Sequence, residues 1–419
     1  MASKIPFHIL AKPIGPICNL DCHYCFYLNR ESLFPRHKRA SDFRMAEETL
    51  DKYIRQYIQF QPGREIPFAW QGGEPTLLGL DYFRRIVELQ KRYAMPGKQI
   101  HNTLQTNGTL LDEQWCKFLA REKFLVGLSI DGPRELHDRY RVTRGGKPTF
   151  DQVMRGLNLL KQHGIQFNTL TVMHRDLAYH PLEVYEFLQD IGSRYIHFIP
   201  LVERDPAAHP RPQPQAAGGL KVPQPEPAVE PWTVEPRQFG RFLCDIFDRW
   251  VRRDVNRIVV ETFYVQMRIW TGCGATLCAF CETCGRAMAM EHSGDVYSCD
   301  HYVSPDYHIG NIHETTLADI VESPKQRKFG LDKRATLPRY CLRCNVRFAC
   351  NGECPKNRFI LTPDGEPGLN YLCAGYKLFL NHIKPYMQTM VVLLRQSRPP
   401  SDIMDILARQ CQRARKTGQ

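Results

Sequence analysis

The stretch CNLDCHYC, residues 18–25, decides the fold class of this chain. It places Cys18, Cys22 and Cys25 in a C-x3-C-x2-C spacing that fits three corners of a cubic iron–sulfur cluster. A ferredoxin-type run would supply a fourth thiolate a few residues later, but the next cysteine is Cys116. One iron therefore lacks a protein ligand and can bind a substrate or cofactor. A zinc knuckle is the alternative, although a fourth nearby Cys or His normally closes such sites.

This spacing resembles that of the radical S-adenosylmethionine (SAM) enzymes. The resemblance implies that the amino and carboxylate groups of SAM bind the open iron, and that the reduced cluster cleaves SAM to a 5′-deoxyadenosyl radical. WQGGEP, residues 70–75, resembles the GGEP motif of the same family. Its glycines let the backbone approach a ligand, so main-chain groups of Gly72 and Gly73 are expected to bind the methionyl amino group. Gln71 is a weaker candidate for contact with a peptide backbone.

The resemblance implies four more contacts with SAM. Tyr27 is expected to face the adenine, through its backbone or its ring. Ser129, in LSIDGP, is expected at the ribose or methionine end, and Arg141, in HDRYR, at the carboxylate. Leu201, at the end of the sixth predicted strand, is expected to pack against the adenine. Ser129 and Leu201 are equally consistent with ordinary strand-end residues.

Composition limits the function classes. The chain has 419 residues, 43% hydrophobic and 24% charged, as expected of a globular enzyme with two or three domains. The longest apolar stretch, TMVVLL at 389–394, is too short to span a membrane, and the N-terminus lacks a long apolar segment, so a cytoplasmic protein is predicted. The sixteen cysteines then indicate metal ligands rather than disulfides. The net charge of +12 falls to about +7 if eleven cysteines ligate three clusters, and the short basic runs do not predict nucleic-acid binding.

Apolar runs alternate with helix-like segments from residue 6 to about 201, which predicts a parallel sheet with six strands. The pattern resembles the partial (β/α)6 TIM-like radical SAM barrel, whose chemistry lies at the carboxyl ends of the strands. The amphipathic stretch that begins at 236 is predicted to pack in the core. The predicted segments are a barrel at 1–202, a proline-rich linker or insertion at 203–235, a bridging helical segment at 236–272, a cysteine-rich domain at 273–385 and a basic helical tail at 386–419.

A second group of cysteines follows. The run C-x2-C-x5-C-x3-C from Cys341 to Cys354, with a later Cys373, resembles the SPASM extension of peptide-modifying radical SAM enzymes. A pair of zinc sites is the alternative. The resemblance implies two closed four-iron clusters, three clusters in all, and these auxiliary clusters suit electron transfer or structural support. Their implied ligands are Cys278, Cys284, Cys299 and Cys354 for one, and Cys341, Cys344, Cys350 and Cys373 for the other.

Five further cysteines fall outside this scheme. Cys273 is surplus, and Cys281 is close enough in sequence to replace Cys278 as a ligand. Cys116, Cys244 and Cys411 lie in helix-like segments, where buried structural thiols are expected.

The stretch MEHSGDVYSCDHYV, residues 290–303, resembles the anaerobic sulfatase-maturating enzymes, which oxidise cysteine or serine in a sulfatase to Cα-formylglycine. The resemblance implies that Asp300 is the general base and takes the thiol or hydroxyl proton while the adenosyl radical removes a Cβ hydrogen. A turn aspartate is the alternative. The thiolate of Cys299 beside it is expected to raise the pKa of Asp300. His301 is equally consistent with a supporting contact and with a solvated residue.

The same resemblance implies the partners, an unfolded or nascent sulfatase polypeptide and a flavodoxin- or ferredoxin-like electron donor. Three other functions remain open from the sequence. One is a SPASM enzyme that forms a thioether or a carbon–carbon crosslink, and the second is a small-molecule dehydrogenase of the same architecture. The third is a zinc-bearing nucleic-acid-binding protein, which would not account for the GGEP and SIDG strand ends.

Overall fold

A computed structural model describes residues 3, 5–205 and 229–417. The strands are β1 His8–Lys12, β2 Glu65–Trp70, β3 Gln99–Thr106, β4 Leu125–Ser129, β5 Phe167–Met173, β6 Tyr195–Pro200, β7 Val259–Val260, β8 Ala287–Glu291, β9 Asp295–Tyr297, β10 His308–Asn311, β11 Ile360–Leu361 and β12 Pro367–Leu369. The α-helices are α1 Glu47–Phe60, α2 Leu80–Arg92, α3 Glu113–Arg121, α4 Arg134–Asp138, α5 Phe150–Gln162, α6 Pro181–Asp190, α7 Pro236–Arg253, α8 Glu261–Trp270, α9 Leu317–Val321, α10 Pro324–Ala335, α11 Arg339–Leu342, α12 Arg347–Cys350, α13 Cys373–Arg395 and α14 Asp402–Thr417.

The six predicted strands, β1 to β6, form one parallel sheet in chain order. This confirms the predicted α/β class. Because parallel strands end at the same edge of a sheet, the loops after β1 to β6 meet at one side of the molecule, where the predicted SAM-binding residues lie. The predicted C-terminal helices are also present, as α13 and α14.

The helices are held by two large apolar clusters. In the first, α1 and α2 bury their apolar faces against aromatic side chains of β2, among them Phe68 and Trp70. In the second, α7 packs along α13, with Phe247 in edge contact with Phe263 and Phe379. The apolar face predicted for the stretch after 236 is therefore buried in the core, as expected.

The cysteine-rich part of the chain extends the same sheet. Strand β8 pairs in parallel with β1, in a register that sets Glu291 opposite Lys12, and β9 and β10 continue the sheet in antiparallel pairing. At the other end, β7 pairs with β6. The predicted domain limits, which stay predictions, therefore cut across one ten-stranded sheet. Most of the predicted linker 203–235, residues 206–228, lies outside the described residues.

No helix within the described ranges is long and apolar enough to cross a membrane.

Candidate active site

Three thiols come together in the loop that follows β1. The pKa of Cys18 is raised to about 11 and that of Cys22 to about 12, chiefly by burial and in part by the negative charge of Cys25. Such a mutual effect requires the three side chains to lie close to one another. Three converging thiols fit an iron–sulfur group bound at three irons, since metal binding would provide the charge that makes the thiolates stable.

A short hairpin around residues 142–148 holds this loop from the outside. The amide of Asp21 donates to the carbonyl of Val142 at 2.8 Å, and the amide of His23 donates to the carbonyl of Tyr140 at 3.0 Å. The side chain of Arg144 adds a third link, because its Nε donates to the carbonyl of Cys18 at 3.0 Å. These two backbone hydrogen bonds and the Arg144 side chain therefore fix the cysteine loop against the hairpin.

Gly73 lets the end of β2 touch the cysteine loop. A Cβ on Gly73 would lie 1.9 Å from the carbonyl oxygen of Ile17, so only glycine fits. The Gly73 amide donates to the carbonyl of Gly15 at 2.8 Å. Among the described residues, none donates a hydrogen bond to the carbonyls of Gly72 and Gly73. These two oxygens are therefore free to accept hydrogen bonds from an amino group, as the sequence predicts.

Glu74, the acidic residue of the GGEP motif, is fully buried and joins β2 to the end of β3. Its carboxylate accepts hydrogen bonds from Thr76, from the Thr106 hydroxyl at 2.8 Å and from the Asn107 amide at 2.7 Å. The Asn107 side chain in turn lies 3.8 Å from the sulfur of Cys18. Glu74 therefore orders the strand ends around the cysteine loop.

Arg141 lies beside the cysteine loop and is already paired. Its Nε donates to Asp131 at 2.8 Å, and both side chains are buried. Asp131 also accepts from the Tyr24 hydroxyl and from the Val172 amide. Because the charge of Arg141 lowers the otherwise raised pKa of Cys22, the guanidinium stands close to that thiol. The cation that was predicted for the SAM carboxylate is thus held in place by Asp131.

The other predicted SAM residues are placed as follows. The Ser129 hydroxyl, at the end of β4, accepts from the Gln105 side chain at 3.0 Å. Leu201 is buried just after β6, where its amide donates to the carbonyl of Met173 at 3.1 Å.

The side chain of Tyr27 contacts protein residues, whereas the predicted ring contact would require it to face the adenine. Its hydroxyl donates to Glu291 at the end of β8, and its ring centroid lies 4.3 Å from Nζ of Lys12. The ring is therefore occupied by protein contacts, which leaves the backbone of Tyr27 for the predicted adenine contact.

Asp300 lies in a turn of 3-10 helix directly after Cys299, and it forms an ion pair with Lys12 at the end of β1. Nζ and Oδ1 are 2.5 Å apart, and the side chains are 1% and 14% exposed. Burial alone would raise the pKa of Asp300, but the Lys12 ammonium and His301 lower it, and the result is below the ordinary value. The expectation of a raised pKa was wrong, because a buried cation that the sequence analysis missed lies against the carboxylate.

Four cysteine side chains lie close to one another next to Asp300. Burial raises the pKa of Cys299, and the charges of Asp300, Cys354 and Cys278 raise it further. The pKa values of Cys284 and Cys354 are likewise raised by burial and, to a smaller extent, by the charge of Cys278. This is the ligand set that was predicted for the first auxiliary cluster.

The four thiols of the second predicted set also lie close to one another. Burial raises the pKa of Cys373 to about 11, with smaller contributions from Cys341 and Cys344. The pKa of Cys350 is raised to about 12 by burial, with added effects of Cys373 and Cys341 among others. Cys350 belongs to the second set and Cys354, four residues later, belongs to the first, so a short segment of chain connects the two sets. Both sets offer four thiols, which fits closed clusters.

Within the described ranges, no group of three or more His, Cys, Asp or Glu side chains is close enough to hold a single metal ion. The ligands of a four-iron cluster bind four different irons, so they stand farther apart than the ligands of one zinc ion.

Two family models match the chain. The Radical SAM superfamily matches residues 13–188, and the iron–sulfur cluster-binding SPASM domain matches residues 278–345. The serine-type anaerobic sulfatase-maturating enzyme of Bacteroides thetaiotaomicron is 44% identical over 96% of this chain and 95% of its own length. This chain belongs to the anaerobic sulfatase-maturating enzymes.

Two further comparisons agree with membership of the sulfatase-maturating family. The cysteine-type enzyme of Clostridium perfringens is 32% identical over 91% of this chain and 97% of its own. A solved structure of native anSMEcpe with bound AdoMet and Cp18Cys peptide matches with a TM-score of 0.79 at 31% identity, and covers 93% of this chain and 99% of that one. The predicted family, enzyme class and fold are confirmed. The alternative functions considered from the sequence are set aside.

Two surplus thiols, Cys273 and Cys281, lie close in sequence to the first auxiliary set of this sulfatase-maturating enzyme. The Cys281 thiol donates to the carbonyls of Ala275 and Leu277, at 3.5 and 3.6 Å, so it turns toward its own loop. This geometry favours Cys278 as the ligand, and Cys273 is exposed. Cys116 and Cys244 are buried, as expected, whereas the sulfur of Cys411 is exposed, contrary to the expectation.

Three residues of the site were missed from the sequence. Lys12 and Asp131 are paired with predicted residues, and each closes an apolar strand segment, ILAK and LSID, where a charged residue signals a buried partner. Lys333 is also buried and donates to the carbonyls of Cys278 and Ala279.

Proposed function

We propose that this enzyme oxidises a serine or cysteine side chain of a sulfatase to Cα-formylglycine. The printed names of its relatives and the peptide in the matched solved structure support this substrate class. The observation that carries the proposal is the position of Asp300. Its carboxylate follows the cluster ligand Cys299 and contacts Lys12 at the strand edge where SAM is expected.

The proposed cofactors are SAM and three four-iron clusters, one held by Cys18, Cys22 and Cys25 and two by the closed sets of four cysteines. When bound, SAM and the first cluster supply the radical that removes a Cβ hydrogen from the target side chain. The carbonyls of Gly72 and Gly73 accept hydrogen bonds from the methionyl amino group.

Arg141 and three other residues complete the proposed SAM site. Arg141, oriented by Asp131, offers its remaining N–H groups to the SAM carboxylate. Ser129 binds the ribose or methionine end, and Leu201 and the backbone of Tyr27 contact the adenine.

Asp300 accepts the proton of the target hydroxyl or thiol. Lys12 keeps the carboxylate ionised and fixes its direction, while 14% of the Asp300 side chain stays accessible to a substrate. Once the Cβ hydrogen and this proton have left, one electron must also leave the substrate. A serine target is then the aldehyde, whereas a cysteine target is a thioaldehyde that water hydrolyses to the same aldehyde with release of hydrogen sulfide. The proposed closed set includes Cys299, which directly precedes Asp300 in the chain, so this set is suited to electron transfer.

Gln71 is proposed to hold the substrate peptide. Its side-chain oxygen is buried and has no hydrogen-bond partner among the described residues, beside the glycines of the SAM site. An amide oxygen in this position can accept a hydrogen bond from a peptide N–H. His301 is proposed to support the first auxiliary set, since its Nδ1 lies 3.6 Å from the Cys354 sulfur.

We propose serine as the preferred target. The serine-type relative from Bacteroides thetaiotaomicron shares 44% identity with this chain, against 32% for the cysteine-type relative from Clostridium perfringens.

The test uses the anaerobically reconstituted holoenzyme with SAM, dithionite and two sulfatase-motif peptides, one with serine and one with cysteine at the target position. The serine peptide should lose two hydrogens, with 5′-deoxyadenosine formed alongside. Asp300→Asn should lower peptide oxidation at least about 100-fold, because a general base contributes roughly 10²–10⁴ to the rate, while cleavage of SAM continues. Asp306→Asn, an exposed aspartate six residues on, is the matched control. Formation of 5′-deoxyadenosine with neither peptide changed would show that the substrate assignment is wrong.

A further inference from the structure

A basic hairpin covers the outer side of the cysteine loop. The segment RYRVTRGGK, residues 139–147, contains four cationic side chains and no acidic one. Arg141 is turned inward to Asp131, but Arg139, Arg144 and Lys147 are exposed. We call these three residues the basic hairpin surface.

The basic hairpin surface lies close to the three-cysteine site. Arg144 contacts the backbone of Cys18, and the hairpin strand at 140–143 is bonded to the backbone around Cys22. Cys22 itself is half-buried between two exposed residues, Asp21 and His23. Only the thickness of this loop therefore separates the cysteine site from solvent on the hairpin side.

Among the described residues, no carboxylate pairs with two of the three surface cations. Arg139 pairs with Asp176 at 3.0 Å. Neither Arg144 nor Lys147 forms an ion pair with an acidic side chain of the described residues; Arg144 contacts only a backbone carbonyl. Exposed charged side chains that form no ion pair within the protein can attract a partner protein of opposite charge.

We propose that the basic hairpin surface docks an acidic one-electron carrier protein of the flavodoxin or ferredoxin class. The proposal rests on the proposed function in one respect, the need for an electron at the three-cysteine site. In the transfer the carrier is oxidised by one electron and the iron–sulfur group bound by Cys18, Cys22 and Cys25 is reduced by one. Charge complementarity would guide the carrier to this face and bring its cofactor close to the cysteine loop.

The surface at the second auxiliary set fits such a carrier less well. There, Cys344 lines a cavity of about 490 Å³ that also contains three cations, Arg339, Arg343 and Lys377, and two acidic residues, Asp364 and Glu366. The two acidic side chains offset two of the three cations, and Arg339 pairs with Glu366, so this face offers an acidic protein less net attraction than the hairpin does.

The experiment measures binding of an acidic flavodoxin to the reconstituted holoenzyme by anaerobic titration calorimetry. Arg144→Glu/Lys147→Glu should raise the Kd about tenfold or more at about 50 mM salt, and added salt should weaken binding of the wild type more than that of the variant. The matched control, Arg84→Glu/Lys117→Glu, makes the same change of charge on α2 and α3, at exposed positions. Because Arg144 also contacts the cysteine loop, Lys147→Glu alone should raise the Kd about threefold with iron content unchanged.

A second readout separates this proposal from the substrate assignment. Cleavage of SAM without any peptide is driven either by reduced flavodoxin or by dithionite, and the ratio of the two rates should fall in the hairpin variant but not in the control. Equal Kd values for the two double variants would overturn the proposal. So would crosslinks from flavodoxin to the face around Cys344, or a loss of sulfatase-peptide affinity with the flavodoxin Kd unchanged. Failure of peptide oxidation alone would leave the docking result intact and would overturn only the proposed function.

Discussion

Lys12 and Asp300 form a largely buried ion pair that joins the first strand of the barrel to the cysteine-rich part of the chain. The two residues are 288 positions apart in sequence, and their charged atoms are 2.5 Å apart in the structure. Lys12 also lies over the ring of Tyr27, so one ammonium organises two residues of the proposed site.

Replacing Lys12 by methionine should leave Asp300 buried without its cation. Removal of one partner of a buried pair costs about 3–5 kcal/mol, so Lys12→Met should lower the free energy of unfolding by about 3 kcal/mol. Adding Asp300→Asn should recover part of this loss, because the uncompensated charge is then gone. Anaerobic denaturant unfolding of the two single variants and the double variant checks this, and simple additivity would contradict it.

Gly73→Ala should displace the cysteine loop. The new methyl group would fall 1.9 Å from the Ile17 carbonyl oxygen, so the backbone must move at the junction between β2 and the loop. We expect a loss of stability of about 1–3 kcal/mol and a marked drop in SAM affinity, measured by unfolding and by equilibrium dialysis. Gly63→Ala is the control, since its Cβ would lie 3.9 Å from the nearest neighbour. Equal effects of the two substitutions would contradict the proposed role of the glycine.

Iron analysis should separate Cys278 from Cys281. If Cys278 is the ligand, Cys278→Ala should lower the iron content of the reconstituted protein by up to about four per chain, and Cys281→Ala should leave it unchanged. The reverse result would make Cys281 the ligand, despite its contacts with the carbonyls of its own loop.

His137 should make the protein less stable as the pH falls. Its Nδ1 accepts the amide of Asp131, and burial lowers its pKa to about 3 from an ordinary value near 6.5. Between these values the unfolded chain binds a proton that the folded chain does not, so stability is complete above about pH 6.5 and declines below it.

The pH effect of His137 can be isolated by substitution. From pH 7.5 to 5.5 the wild type should lose about 1 kcal/mol more than His137→Gln, as measured by denaturant unfolding at each pH. Parallel pH profiles would contradict this, because they would show that His137 takes up its proton equally in the folded and unfolded states.

The sequence predicts the parts of this molecule that depend on short-range pattern. Each of the strands β1 to β6 was expected where it lies, because each contains apolar residues and is followed within three residues by a polar residue or a proline. The structure brings together the four thiols of each set that the motif resemblance implied, and their role as cluster ligands stays a prediction. Local spacing restricts these features strongly.

Features that depend on distant pairing were not predicted. Strand β8 joins the barrel through its register with β1, and nothing in either segment alone encodes that partnership. The same pairing sets Glu291 opposite Lys12 and places Asp300 within reach of the ammonium. The pKa of Asp300 was therefore predicted in the wrong direction, since the deciding charge lies on another strand.

The pairing of β1 with β8 also determines when this protein can finish folding. The partner of His8 in the sheet is Ala287, so a ribosome must add a further 279 residues before β1 acquires its second neighbour. Until then, one side of an apolar strand, with Ile9 and Ala11 in it, presents unpaired backbone groups to other nascent chains. Because non-local pairing of this kind is slow to form, the nascent chain is exposed to aggregation throughout most of its synthesis.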